Sequence, residues 1–91
     1  MTIHTLQNPS RLDECLAVIG EDDYLIFIDN AVYLLSEDQA QRPSLHCQAG
    51  ALRADLERAG LLETPSLIVE SVSYDRWITL TEVHATSVLW D

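Results

Sequence analysis

The apolar positions of this chain switch period several times, and each switch marks an element. Thr2–Leu6 reads as a short strand. From Ser10 to Ile19 the period becomes helical, with Leu12, Cys15, Leu16 and Ile19 at i, i+3, i+4 and i+7 on one stripe. Pro9 precedes that segment, Ser10 and Asp13 are spaced as a capping-box-like pair, and Gly20 is placed to stop the helix. Tyr24-Leu25-Ile26-Phe27-Ile28 is apolar on both faces, the pattern of a parallel strand covered on both sides. Asp29-Asn30 follows, two helix-capping residues ahead of a predicted second helix over Ala31–Leu35.

The second half repeats the alternation. Ser36–Pro43 is polar and holds a breaker, so it reads as a surface loop. Ser44–Cys47 is expected to be a short third strand. Gly50–Ala59 is expected to be a helix, with Leu52, Leu56 and Ala59 facing inward and Gly60 ending it ahead of Leu61-Leu62. Thr64-Pro65 marks a turn and Leu67-Ile68-Val69 a fourth strand. Ser73 then caps a helix over Tyr74–His84, with Trp77, Leu80, Thr81 and His84 on one side, and Ser87–Trp90 is a short last strand. Strands alternating with helices predict a single α/β domain spanning residues 1–91. Its form is a three-layer α/β/α sandwich around a small, mainly parallel sheet of about four to five strands. Ligands and partner groups meet such sheets at the carboxyl ends of the strands, where this reading places His4-Thr5, Asp29-Asn30 and Cys47.

Charge narrows the functions available. Fifteen acids against five bases give a net charge of −10, and every base is an arginine. Nucleic-acid binding needs Lys and Arg to displace phosphate counterions, so direct contact with DNA or RNA is not expected. An anionic membrane surface is disfavoured for the same reason, whereas a basic protein partner is compatible. With no lysine, Schiff-base chemistry and the P-loop are excluded. A chain of this size buries only somewhat over ~60% of its unfolded surface, which leaves apolar area for a partner. The amino-terminal residues lack a signal-peptide pattern and no apolar run reaches a membrane span, so a cytoplasmic protein with reduced cysteines is expected.

Few residues stand out chemically. Cys15 is the first candidate for chemistry, as a thiol. Its place on the apolar stripe, beside Asp13 and Glu14, works against a thiolate, and a buried core thiol is the competing reading. Cys47 has a favourable address at a strand end and nothing else. His4 could act as an acid–base or interface group, or bond locally. No His/Cys spacing suggests a metal site, and no Gly-x-Gly-x-x-Gly or catalytic triad suggests a cofactor or an acyl-transfer site. Glu21-Asp22-Asp23 reads as a solvated loop. Trp77 fits a core, and Trp90 fits a core or an interface.

The ordered set Ile3-His4-Thr5-Leu6, the Ser10–Cys15 helix start and Ile28-Asp29-Asn30-Ala31-Val32-Tyr33 resembles the DsrH/TusB family of sulfur-relay subunits. Asp55-Leu56, Arg58-Ala59-Gly60-Leu61 (with Arg and Ala exchanged), Tyr74-Asp75, Leu80-Thr81, His84 and Trp90 extend the likeness over nearly the whole chain. Asn30-Ala31 stands where many relatives have a glycine. The resemblance implies a DsrEFH-like fold. It also implies a heterohexamer with TusC/DsrF-like and TusD/DsrE-like subunits, served by small carriers of the TusA and TusE/DsrC types. A cysteine on the TusD/DsrE-like subunit would accept the persulfide, making this chain a largely non-catalytic subunit without a cofactor. In the TusBCD-like branch the sulfur ends in 2-thiouridine at the tRNA wobble position. The alternative is the DsrEFH branch, dissimilatory sulfur oxidation with Cys15 itself carrying persulfide; DsrH-type members hold a cysteine in this helix and many TusB-type members do not. A homo-oligomeric binding module unrelated to sulfur is the reading left if the resemblance fails. The partner interface is expected at Asp29, Asn30, Tyr33 and Trp90.

Overall fold

The computed structural model describes residues 1–36, 45, 47–61 and 69–91. Its strands are β1 (Thr2–Leu6), β2 (Tyr24–Phe27), β3 (Gln48–Leu52), β4 (Glu70–Val72) and β5 (Thr86–Trp90). Its α-helices are α1 (Leu12–Val18), α2 (Arg53–Ala59) and α3 (Tyr74–Val83). Two 3-10 segments, Pro9–Arg11 and Asp29–Ser36, complete the described elements. The strands form one sheet in the order β4-β3-β2-β1-β5, parallel throughout.

Strand alternation distributes the side chains between two layers. Leu6, Leu25, Phe27 and Ala51 point to the face covered by α1, α2 and the 3-10 segment after β2, where Cys15, Val32, Leu35 and Leu56 complete a buried cluster. Ile3, Tyr24, Ile26 and Val72 point to the opposite face, beneath Leu80 and Trp77 of α3. The result is the expected three-layer sandwich, and all four residues of β2 are buried, as its two-faced apolar run requires.

Several local expectations are corrected. The first helix is not capped by Ser10. Arg11 stands at the start of α1 without a side-chain cap, and Asn8 instead caps the 3-10 turn that precedes it, its side-chain oxygen accepting from the Ser10 amide at 3.0 Å and the Ser10 hydroxyl at 2.8 Å. Gly20 does not take the left-handed conformation of a helix stop; its N–H donates to Asp23 Oδ2 at 2.9 Å. The third strand is Gln48–Leu52, so Gly50, Ala51 and Leu52 belong to a strand and α2 begins only at Arg53. Small residues with weak strand preference made this segment read as helix, but pairing with β2 on one side and β4 on the other overrides propensity. Gly50 is needed there: a Cβ would lie 2.3 Å from the Tyr24 hydroxyl oxygen and 2.5 Å from Val72 Cγ2. The fourth strand runs over Glu70–Val72, with Val69 just before it. Leu67, Ile68, the Thr64-Pro65 turn, most of the Ser36–Pro43 loop, Ser44 and His46 lie outside the described residues.

Other signals hold. Gly60 closes α2 in the left-handed region at φ 75°, with the Leu61 amide returning to the Leu56 carbonyl at 2.9 Å. Ser73 caps α3, its hydroxyl accepting from the Arg76 amide at 3.1 Å.

Candidate functional site

The carboxyl edge of the sheet is built around Asp29. This residue leaves β2 with φ 51°, the one non-glycine in the left-handed region among the described residues, a conformation that Asp tolerates better than most. Its amide donates to Asp55 Oδ2 at 2.7 Å, and its carboxylate receives Arg58 at 3.3 Å and Gln7 at 3.5 Å. Arg58 also pairs with Asp55 Oδ1 at 2.9 Å. Asp55 is buried, so its carboxylate fixes the turn after β2 from beneath. The Asp29-Asn30 pair therefore does not act as a simple N-cap: Asp29 is held by α2, and the segment it opens is 3-10 rather than α-helical. Asn30 is exposed beside it, and a cavity of about 470 Å3 opens between Gln7, Pro9, Asp29, Asn30 and Asp91. Tyr33 lies on the same 3-10 segment and is 47% exposed. These groups can accept and donate hydrogen bonds, and neither cysteine is among them.

Both cysteines lie elsewhere. Cys15 is fully buried on α1, and burial first, then neighbouring Cys47 and Asp23, push its thiol up to about 11. Cys47 precedes β3 instead of ending a strand, which places it at the amino edge, opposite to the expected address. It is half-buried and its thiol is also raised, mainly by burial and then by Asp23. It lines a cavity of about 400 Å3 with Tyr24, Gln48, Glu70 and Arg76.

His4 sits in the middle of β1, not at its carboxyl end, and is 4% exposed. Its Nε2 meets Asp23 Oδ2 at 3.1 Å, and its Nδ1 accepts the Trp90 indole N–H at 3.1 Å. The His4 and Trp90 rings are stacked with centroids 6.3 Å apart, and the Arg11 guanidinium lies 5.3 Å from the Trp90 ring centre. Trp90 thus faces inward to β1 as well as being half-exposed. Asp23 proves not to be a solvated loop acid. It accepts from the Gly20 and Thr2 amides, each at 2.9 Å, and from His4, and those bonds, the Gly20 amide's foremost, bring its carboxyl down to about 2. Glu21 and Asp22 do remain exposed.

A family model described as DsrH like protein matches residues 7–87. The chain belongs to this family. No curated protein and no solved structure matches it. Family membership makes the DsrH-like chain a sulfur-relay subunit in coarse functional class, of a kind that associates with other relay subunits. Among its described residues no three His, Cys, Asp or Glu side chains are grouped to hold a metal ion, and no helix is long and apolar enough to cross a membrane.

The geometry of the DsrH-like chain brings Asp29 and Asn30 together at one cavity, with Tyr33 further along the same segment. It leaves Cys15 in the core, and Trp90 is tied to β1. Sequence reasoning read Asp23 as a solvated loop acid and gave Asp55 no structural role. Asp55 had one legible sign, an arginine three residues on; Asp23 follows the Gly20 amide by three residues, the spacing at which a side chain reaches back to a backbone N–H in a capping box.

Proposed function

We propose that this DsrH-like chain is a non-catalytic subunit of a heterohexameric sulfur relay of the TusBCD kind, passing persulfide sulfur toward 2-thiolation of the tRNA wobble uridine. The state of Cys15 carries the reading: a fully buried thiol held up to about 11 is a poor acceptor of sulfane sulfur from another protein. Transfer then falls to a cysteine on a TusD/DsrE-like partner, and the present chain contributes surface. The carboxyl-edge cavity, with Asp29 held by Arg58 and Gln7 and with Asn30 exposed, offers a fixed set of polar groups to such a partner. A net charge of −10 suits basic partner surfaces and leaves contact with tRNA to a downstream enzyme.

The test is native mass spectrometry of the tagged chain purified from its own host, followed by persulfide mapping on each subunit and quantification of 2-thiouridine in a strain lacking the chain. Two companion subunits of similar size, two copies of each, persulfide on a companion and loss of 2-thiouridine are the expected results. Extra sulfur on Cys15 with 2-thiouridine intact would move the chain to the DsrEFH branch. A monomer or homo-oligomer without companions would overturn the relay reading.

A further inference from the structure

The Arg11–Trp90–His4–Asp23 chain has a property that follows from donor and acceptor chemistry alone. An indole nitrogen can only donate a hydrogen bond. The contact from Trp90 Nε1 to His4 Nδ1 at 3.1 Å therefore requires a bare Nδ1, and His4 carries its proton on Nε2, donated to Asp23 Oδ2 at 3.1 Å. Neutral His4 is in this way bonded on both sides, to β5 through Trp90 and to the turn before β2 through Asp23. A second proton can go only to Nδ1. It would set an N–H against the Trp90 N–H, cancelling the bond to β5, while the bond to Asp23 becomes an ion pair.

We infer that His4 is a proton-operated latch on β5: neutral, it holds both Asp23 and, through Trp90, that strand; protonated, it keeps Asp23 as an ion pair and releases the indole. The consequence reaches an edge of the sheet. β5 pairs only with β1 among the described strands, its Leu89 is 55% exposed, and its end is held by three further hydrogen bonds. These are the Gln7 and Asn8 amides donating to the Trp90 carbonyl at 3.0 and 3.1 Å, and Arg11 donating to the Asp91 carbonyl at 3.2 Å. None of them titrates with His4, so acid loosens the Trp90 ring and the strand's inner face before it loosens the backbone.

The charged and titratable groups around His4 permit this. Asp23 is ionised throughout the range in which histidine titrates and attracts the added proton. Arg11, on the Trp90 ring and paired with Glu14 at 3.1 Å, opposes a second cation nearby. The thiols of Cys15 on α1 and Cys47 ahead of β3, which share the Asp23 field, stay neutral. This inference does not depend on the sulfur-relay reading.

The experiment is heteronuclear NMR on the full chain carrying Trp77→Phe, so that Trp90 gives the single indole signal, over pH values from about 8 to about 5. Expected are the Nε2–H tautomer of His4 at the upper end, and an indole N–H resonance of Trp90 that shifts and exchanges faster with the same midpoint as the His4 ring. In Trp90→Phe, where no donor opposes protonation of Nδ1, the His4 midpoint moves upward. In His4→Gln, whose side chain can still accept from Trp90 without titrating, the indole signal becomes flat across the range. An Nδ1–H tautomer, an indole signal indifferent to the His4 titration, or an unmoved His4 midpoint in Trp90→Phe would each overturn the latch.

Discussion

Asp23 does more for this fold than its place in an acidic run suggests. It satisfies two backbone amides and orients His4, and its carboxyl is held down to about 2. A folded-state value below the unfolded one means that the ionised form favours folding. The stabilisation is complete above the unfolded value near 4 and is lost as the pH falls toward 2. Asp23→Ala is expected to lower unfolding free energy by about 2 kcal/mol at neutral pH, and to flatten the acid limb of a denaturant-midpoint-versus-pH curve. Asp23→Ala retaining the wild-type acid limb would show that the loss of stability in acid has another source. Gly50 is the second residue with an effect out of proportion to its size. Tyr24 passes over it to hydrogen-bond Glu70, and burial, then Glu70 itself, raise the phenol well above its ordinary value. Gly50→Ala is expected to cost about 1–3 kcal/mol by overpacking. Tyr24→Phe should recover part of that cost, seen as a coupling in a double-mutant thermal-melt cycle, because it removes the oxygen that the new Cβ would strike.

Among the elements, what could be read beforehand follows from how locally each is determined. β2 was legible because burial on both faces leaves a continuous apolar run from Tyr24 to Phe27. α3 was legible because Ser73, its cap, is adjacent in sequence to the turn it satisfies. β3 was not, since Gln48-Ala49-Gly50-Ala51-Leu52 is made a strand by neighbours on both sides rather than by its own preferences. The carboxyl-edge cluster was half legible: Asp29 and Asn30 announce a strand end, but that Asp55 and Arg58 of α2 would hold Asp29 depends on packing. Local capping gives the simplest check at this scale. Ser73→Ala is expected to lower stability by about 1 kcal/mol. Amide exchange should quicken first in the opening turn of α3, and uniform protection along that helix would argue against the cap.

Over the whole molecule, the two cysteines divide the behaviour of the folded chain from that of the opened one. Cys15 is sealed within the larger core cluster and Cys47 is half-buried at the amino edge. Alkylation at neutral pH is therefore expected to reach Cys47 first. Cys15 should be modified only at the rate of global opening and should track denaturant concentration; mass mapping of the alkylated peptides reads both. Rapid native labelling of Cys15 would show that α1 lifts from the sheet on its own. The sheet order carries a last consequence. β1, the first of the described strands, lies between β2 and β5, and the bond from Trp90 to His4 spans 86 positions. One neighbour of β1 is therefore supplied almost at once during synthesis and the other only when residues 86–90 have left the ribosome, so a nascent chain shorter than that leaves one side of β1 bare. Until then that strand is an open template for any extended segment nearby, and its protection falls to whatever escorts the emerging polypeptide.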